Sequence, residues 1–481
     1  MEAEVTVTLP TGASETFTLL PNVAVNRTYD KALELAQYDY ALPQQKGIEV
    51  KSSREIAVSG ASMAPFSGDA FLALPVDVLG QAYVVLSQTA GRDGDTAYFQ
   101  MIAVADDTII TFVPKVDLKS TPVIASGTTV QTVLQNGQSI TFAADGVDDD
   151  ISGTLIQGNK AFVLFSGHRC ARVPDSSVNF CDHLVEQLPP LSALGKSFVL
   201  VPFAERTGGD FVRVVTTVDD TIIQKNGVEI TPSGGAAAHS IVSFNLASTE
   251  FAVLQSSSPI LVMQLLKSET AENSLISSDP AMTAVPPVAQ WANSFVFAPV
   301  VWQSSYGSQT KHYVSIVVAA GQTAGVRLDG NPIATSDWTV LPDGKYASHV
   351  QTIEAGAHTL HHISINVGMQ LMMYGLGGSA DPEMSVSYAF PGGQRVAPLG
   401  EFCVKSLSVV DDGLDNDCDD LVDEELLNGI DDDGDGRIDE DIATGGDIIV
   451  CPDVKQEVVP SAGQTVTITG NGNCLCLEFP Q

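Results

Sequence analysis

The sequence predicts an all-β protein: tandem β-sandwich-like pseudo-repeats followed by a C-terminal calcium-loop segment. Three observations carry this. Short runs of β-formers (EVTVTL, AYVVLS, TIITFV, AFVLFSG, FVRVVTTV, YVSIVVAA) recur between Gly, Asn, Asp, Pro and Ser clusters. A turn-and-hairpin pattern returns four times. The composition then turns abruptly acidic after Pro398. Radial closure of the repeats, as in a β-propeller, is the alternative arrangement.

The repeats justify the element order. The turn TLPTG (8–12) returns as VLQNG (133–137), TPSGG (231–235) and VLPDG (340–344). Hairpins then follow with IAVSG (56–60), FVLFSG (162–167), ILVMQL (260–265) and LMMYG (371–375). After the first three come LPVDVLGQAYVV, PPLSALGKSFVL and PPVAQWANSFVF. In each, an aromatic residue (Tyr83, Phe198, Phe295) follows a proline (Pro75, Pro190, Pro287) at the same spacing, which reads as core. The fourth unit is cut short and closes with SVSYAFPGG (385–393). Asp106-Asp107 and Asp219-Asp220 open matching strands and read as turn residues. The spacing of about 100 residues suits one small sandwich per repeat. Only DKALELAQ, near residue 30, looks helical, and strands do not alternate with helices, so a doubly wound fold is excluded. The expected divisions are 1–400 for the repeats, 401–445 for the acidic repeats and 446–481 for a short β-rich end, where TVTITG reads as a strand.

Composition bounds the function. The chain has 481 residues, 44% of them hydrophobic and 17% charged, which fits a folded protein with a large core. Its net charge of −35 opposes nucleic acid and anionic membrane surfaces and favours divalent cations. No run reaches the roughly 18 apolar residues of a spanning helix. The first residues carry no export signal, which we read as removed or truncated. Seven cysteines fall in two groups: Cys170 with Cys181, and five between Cys403 and Cys476. Such local clustering suits an oxidising compartment. One glycosylation triplet, Asn26-Arg27-Thr28, is present.

The strongest chemical signal lies in DGLDNDCDDLVDEE (412–425) and NGIDDDGDGRIDED (428–441), which align at a period of 16 residues. Each contains D-x-D-x-D with a further acid four residues on: Asp415, Asp417, Asp419 and Asp423, then Asp431, Asp433, Asp435 and Asp439. Carboxylates at alternate positions of a tight loop converge on one point, and oxygen-only ligands in that number suit Ca²⁺. Residues 411–441 hold 16 acids and one base, Arg437, so without metal they repel one another. Leu426 and Ile442 stand where an EF-hand needs its bidentate Glu, so this is not an EF-hand. The pattern resembles thrombospondin type 3 repeats and bacterial dockerin-like or metal-binding surface motifs. By that resemblance Glu424, Glu440 or Asp441 completes the coordination.

The second constellation is GHRCARVPDSSVNFCDHLVEQLPP (167–190). Three readings compete for His168, Cys170, Cys181 and His183. One is a disulfide between Cys170 and Cys181. Another is a Zn²⁺ site with the two histidines, which as a hydrolase centre is the enzymatic alternative. The third is a Cys–His nucleophile. The disulfide is our expectation. His358, His361 and His362 read as a solvated strand.

KGIEVKSSREIAVSG, DAFLALPVDVLG, ISGTLIQGNKAFVLFSGHRCARVP and CDHLVEQLPPLSALGKSFVLVPFAERTGGDFVRV resemble the N-terminal domain of the IgGFc-binding protein family, over roughly residues 3–400. The segment from His168 to CDHLVEQLPP is the most specific part. The resemblance implies an exported, non-enzymatic protein at the cell surface or secreted, binding an extracellular protein or glycan. It does not imply immunoglobulin binding, for which no motif is visible. A self-associating matrix component is the alternative.

Overall fold

The computed structural model describes residues 2–29, 40–64, 67–92, 94–271, 279–301, 309–378 and 386–399, with four short strands beyond them. The expected helix near residue 30 lies outside the described residues. The chain divides into two units, Met1–Phe402 and Cys403–Gln481.

The first unit is all β, and every helix among its described residues is a short 3-10 turn. The predicted turns are there: Gly12, Gly137, Gly235 and Gly344 each close their motif with positive φ (82°, 76°, 90° and 69°), a conformation that a Cβ disfavours. Asp107 and Asp220 also sit at positive φ, in turns. The Pro-centred segments share one shape. Pro75, Pro190 and Pro287 each cap a 3-10 turn. Tyr83, Phe198 and Phe295 then enter the core, 0%, 1% and 4% exposed.

Each Pro-centred strand opens a sandwich. The first sandwich joins a four-stranded sheet (Val130–Leu134, Thr108–Phe112, Leu155–Gly158, Ala82–Val84) to a five-stranded one (Asp182–Gln187, Phe162–Ala171, Ala97–Ala103, Gln138–Ala143, Gln44–Gln45). The third repeats this plan with four strands (Ser294–Phe297, His358–His362, Val326–Leu328, Asn331–Pro332) and five (Thr339–Val340, Tyr346–Ile353, Gln309–Ala319, Gln370–Gly378, Tyr388–Pro391). In the second, the 15-residue strand Ala252–Leu266 runs through both layers. Its first half pairs with Gly195–Leu200 and Ile223–Lys225, and its second half with Asp210–Thr216 and Ala281–Ala284. The N-terminal unit is partial: a three-stranded sheet, Ser14–Leu19, Ala3–Thr8 and Glu49–Ser52, and a hairpin, Ser59–Ala64 with Ser67–Leu72.

Every unit ends in the same hairpin. Equivalent amides close it: Ala73 on Val58, Leu188 on Leu164, Val285 on Val262 and Gly392 on Leu371. The fourth hairpin is therefore complete, and the truncation falls after it. The four closing strands touch in a ring: Ser67–Leu72 on Asp182–Gln187, that on Ala281–Ala284, that on Tyr388–Pro391, and that back on Ser67–Leu72. Sandwich units and radial closure thus coexist. Apolar contacts seal the seams. Phe71 packs edge-on against Phe165 at 4.7 Å, Phe203 meets Tyr374 at 4.7 Å, and Ala70 joins the core of the third sandwich.

In the second unit, Glu425–Leu426 pairs in parallel with Ile442–Ala443, and Thr467–Asn471 forms a hairpin with Cys474–Glu478.

Candidate functional site

The closing strands bring their edges together at the centre, where unpaired buried amides are costly. Acidic side chains satisfy them. Asp69, 0% exposed, accepts the N–H of Ala70 (2.9 Å) and Ala389 (3.2 Å) on Oδ1, and of Met282 (3.0 Å) and Val185 (3.2 Å) on Oδ2. These four amides are equivalent, each three residues before the hairpin-closing amide of its unit. Burial pushes the Asp69 carboxyl up, and the four N–H bonds pull it down. Asp182 accepts from Gly68 at 2.8 Å, Glu186 from Ala284 at 3.0 Å, and the Gln187 side-chain Oε1 from Leu74 at 3.1 Å. Asp279 occupies the position in its strand that Asp182 has in the preceding unit. It is followed by Pro280, which offers no N–H, and its Oδ1 has no hydrogen-bond partner; neither has Asp182 Oδ2. Burial is the first cause that raises both acids. Asp279 adds to it at Asp182, and Glu269 adds to it at Asp279, with Arg206 opposing.

Beside this junction lies the His168–His183 segment. Cys170 and Cys181 form a disulfide with Cα atoms 4.9 Å apart, closing the loop between the paired strands Phe162–Ala171 and Asp182–Gln187. The loop docks on the second sandwich: Val173 N–H donates to Ser268 Oγ at 3.0 Å, and Asn179 N–H to Thr270 Oγ1 at 2.7 Å. His168 is fully buried, and its Nδ1 accepts the Cys170 N–H at 3.1 Å. Burial holds its pKa down at about 3, and that of His183, stacked on Tyr98, at about 4, so both rings are neutral near pH 7. The thiols bond to each other, which leaves no thiolate for zinc or for nucleophilic attack. Among the described residues no three His, Cys, Asp or Glu side chains are placed to hold a metal. The reading of His358, His361 and His362 as solvated needs one correction. His362 is 5% exposed, with its ring nitrogens against the carbonyls of Gln322 (2.9 Å) and Ser364 (3.2 Å). The apolar run around it hides this, because a satisfied core histidine has no sequence signature.

The proposed calcium ligands Asp415, Asp417, Asp419, Asp423, Glu424, Asp431, Asp433, Asp435, Asp439, Glu440 and Asp441 lie outside the described residues.

One cleft, of about 520 Å³, opens between the first and second sandwiches. Its floor is the outer face of the first four-stranded sheet, with Thr111 and Gln157 in register across two strands, and His239 forms its far wall. Sequence reading missed both this cleft and Asp69. Arg213, a lone charge inside FVRVV, was the available signal for the seam beside the cleft.

A family model described as IgGFc binding protein matches residues 69–375. The human IgGFc-binding protein is 24% identical over 334 residues, which is 69% of this chain and 6% of that protein. The chain thus spans a small part of its relative's length. No solved structure matches. Among the described residues no helix is long and apolar enough to cross a membrane.

Proposed function

The chain belongs to the IgGFc-binding protein family, and from that membership we propose that it is a non-catalytic binding module working outside the cell, on a protein or glycan ligand. The observation that carries the reading is the family match over residues 69–375, which starts at Asp69 within the first closing strand and spans the second and third whole. The disulfide between Cys170 and Cys181 supports an oxidising compartment. The closed ring supports a rigid scaffold whose loops and clefts carry recognition. The relative's name speaks of IgG Fc. For this chain immunoglobulin Fc is one ligand to test, since the two share only a small part of that protein.

Behind the scaffold, the two acidic copies bind Ca²⁺, one ion each, and stiffen a spacer. Their D-x-D-x-D triplets supply the oxygens. The parallel pairing of Glu425–Leu426, at the end of the first copy, with Ile442–Ala443, just after the second, supports loops stacked in one direction.

The test is interferometry with the immobilised full chain against purified IgG Fc and a panel of extracellular glycoproteins. Saturable binding that survives a calcium chelator supports a ligand site on the scaffold. Absence of binding across the panel, with calcium-dependent self-association, supports a matrix component in its place.

A further inference from the structure

We propose that the cleft between the first and second sandwiches is a binding site for an uncharged saccharide. The inference rests on the binding-module reading above and names its site and ligand class.

The cleft is preformed. Arg213, on the second sandwich and 4% exposed, donates to the Ser87 carbonyl, to Asp150 and to Ser152 Oγ (3.4 Å) of the first. Gly153 meets the second sandwich so closely that a Cβ would stand 2.3 Å from the His239 carbonyl oxygen. The two walls are locked together, and the space beside the seam, about 520 Å³, falls within the roughly 300–1,000 Å³ of small-ligand sites.

Its far wall is held under strain. His239 has φ of +57°, in the left-handed region. Its own N–H donates to the Thr216 carbonyl at 3.0 Å. Thr216 Oγ1 in turn receives the Ser240 N–H (2.9 Å) and donates to the Ala237 carbonyl (2.6 Å), and Asp219 receives the Ala238 N–H (2.7 Å). Strain kept by so many bonds is a mark of functional sites. Desolvation first, and then the Lys115 charge, lower the His239 pKa, so its ring is neutral at pH 7 and both donates and accepts.

The chemistry of the lining selects the ligand. Gln157, Thr111, Ser126 and His239 all donate and accept, as sugar hydroxyls do, and Val113, 46% exposed, and Leu155 offer apolar surface to a sugar's C–H face. A peptide strand has no backbone to join here. Thr108–Phe112 and Leu155–Gly158 are each paired on both sides. Lys115 is the one charged residue of the lining; Asp117 beside Ser126, Asp219 behind His239 and the chain's net charge of −35 oppose it, so polyanionic glycans are disfavoured.

The test is saturation-transfer NMR on the full chain with N-acetyllactosamine and chitotriose as neutral probes and a heparin hexasaccharide as the anionic one. Transfer to a neutral probe is expected, with binding about tenfold weaker in Gln157→Leu and in His239→Gly, since each loses a ligand hydrogen bond. Glycine keeps the positive φ at 239, and unchanged thermal midpoints exclude misfolding. Val296→Gln, on an exposed face of the third sandwich, should bind as wild type. No transfer to either neutral probe, stronger transfer to heparin, or wild-type binding by both cleft variants overturns the proposal. No transfer to the neutral probes, together with a protein ligand that binds the wild type and both cleft variants equally, would overturn it while leaving the binding-module reading intact.

Discussion

Asp69 Oδ2 accepts the backbone N–H of Met282 at 3.0 Å across 213 residues of chain. The same carboxylate holds the equivalent amides of Val185 and Ala389, so one side chain ties the closing strands of all four units. Edge strands brought together in a core cannot all pair with one another, and a carboxylate with two acceptor oxygens fills the gap.

Asp69→Asn should therefore cost about 3–5 kcal/mol, because the amide turns one acceptor into a donor that faces N–H groups in a buried site. Urea unfolding measures it. Asp107→Asn, in an exposed turn at positive φ, should cost less than about 1 kcal/mol. Equal losses would contradict the assignment.

Stability should depend on pH with opposite signs on two limbs. Asp182 and Asp279 titrate above the ordinary carboxylate value in the folded chain, so their contribution is complete below about pH 4 and is lost as pH rises through the raised pKa values. His168 and His183 are depressed, so theirs is complete above about pH 6.5 and is lost as pH falls. Thermal midpoints of Asp279→Asn should fall less than those of wild type as pH rises above the ordinary carboxylate range, since the variant keeps only Asp182 of the pair to deprotonate. Parallel curves would show that the pair does not titrate there.

The disulfide between Cys170 and Cys181 should appear in non-reducing peptide maps of exported protein. Replacing both by serine should cost about 2–4 kcal/mol, through the freed loop of the unfolded chain. The loop's bonds to Ser268 and Thr270 should then loosen, seen as faster amide exchange at Val173 and Asn179. Two free thiols in the native protein would refute the pairing.

Calorimetry of calcium into the full chain should show about two sites, one per acidic copy. Asp433→Ala should weaken one of them more than Asp432→Ala, because alternate positions of the loop face the ion. The main thermal transition should hardly move, as the scaffold's core does not use those acids. No calcium heat at millimolar concentration, or equal effects of the two substitutions, would leave only an acidic linker.

Much of the scaffold is legible in the sequence, because turns and cores are local. Gly12, Gly137, Gly235 and Gly344 mark turns that need positive φ, and Tyr83, Phe198 and Phe295 mark one recurring core position. The junction is not legible. Asp69 follows Gly68 in SGDAFL and reads as a turn-side polar residue, and Met282 lies in an unremarkable apolar run. A bond from a side chain to a distant backbone amide leaves no periodicity in either segment. The cleft escapes for the same reason: Gln157 and His239 belong to different units, and their proximity is set by the Arg213 seam.

The most direct test of the account is native-state amide exchange at Ala70, Val185, Met282 and Ala389. If Asp69 closes the ring, all four amides should share one high protection in wild type and lose it together in Asp69→Asn, to within about 1 kcal/mol of one another. Four unrelated protections, or a loss confined to Ala70 beside the substitution, would show that the units are held independently and that the junction does not close the scaffold.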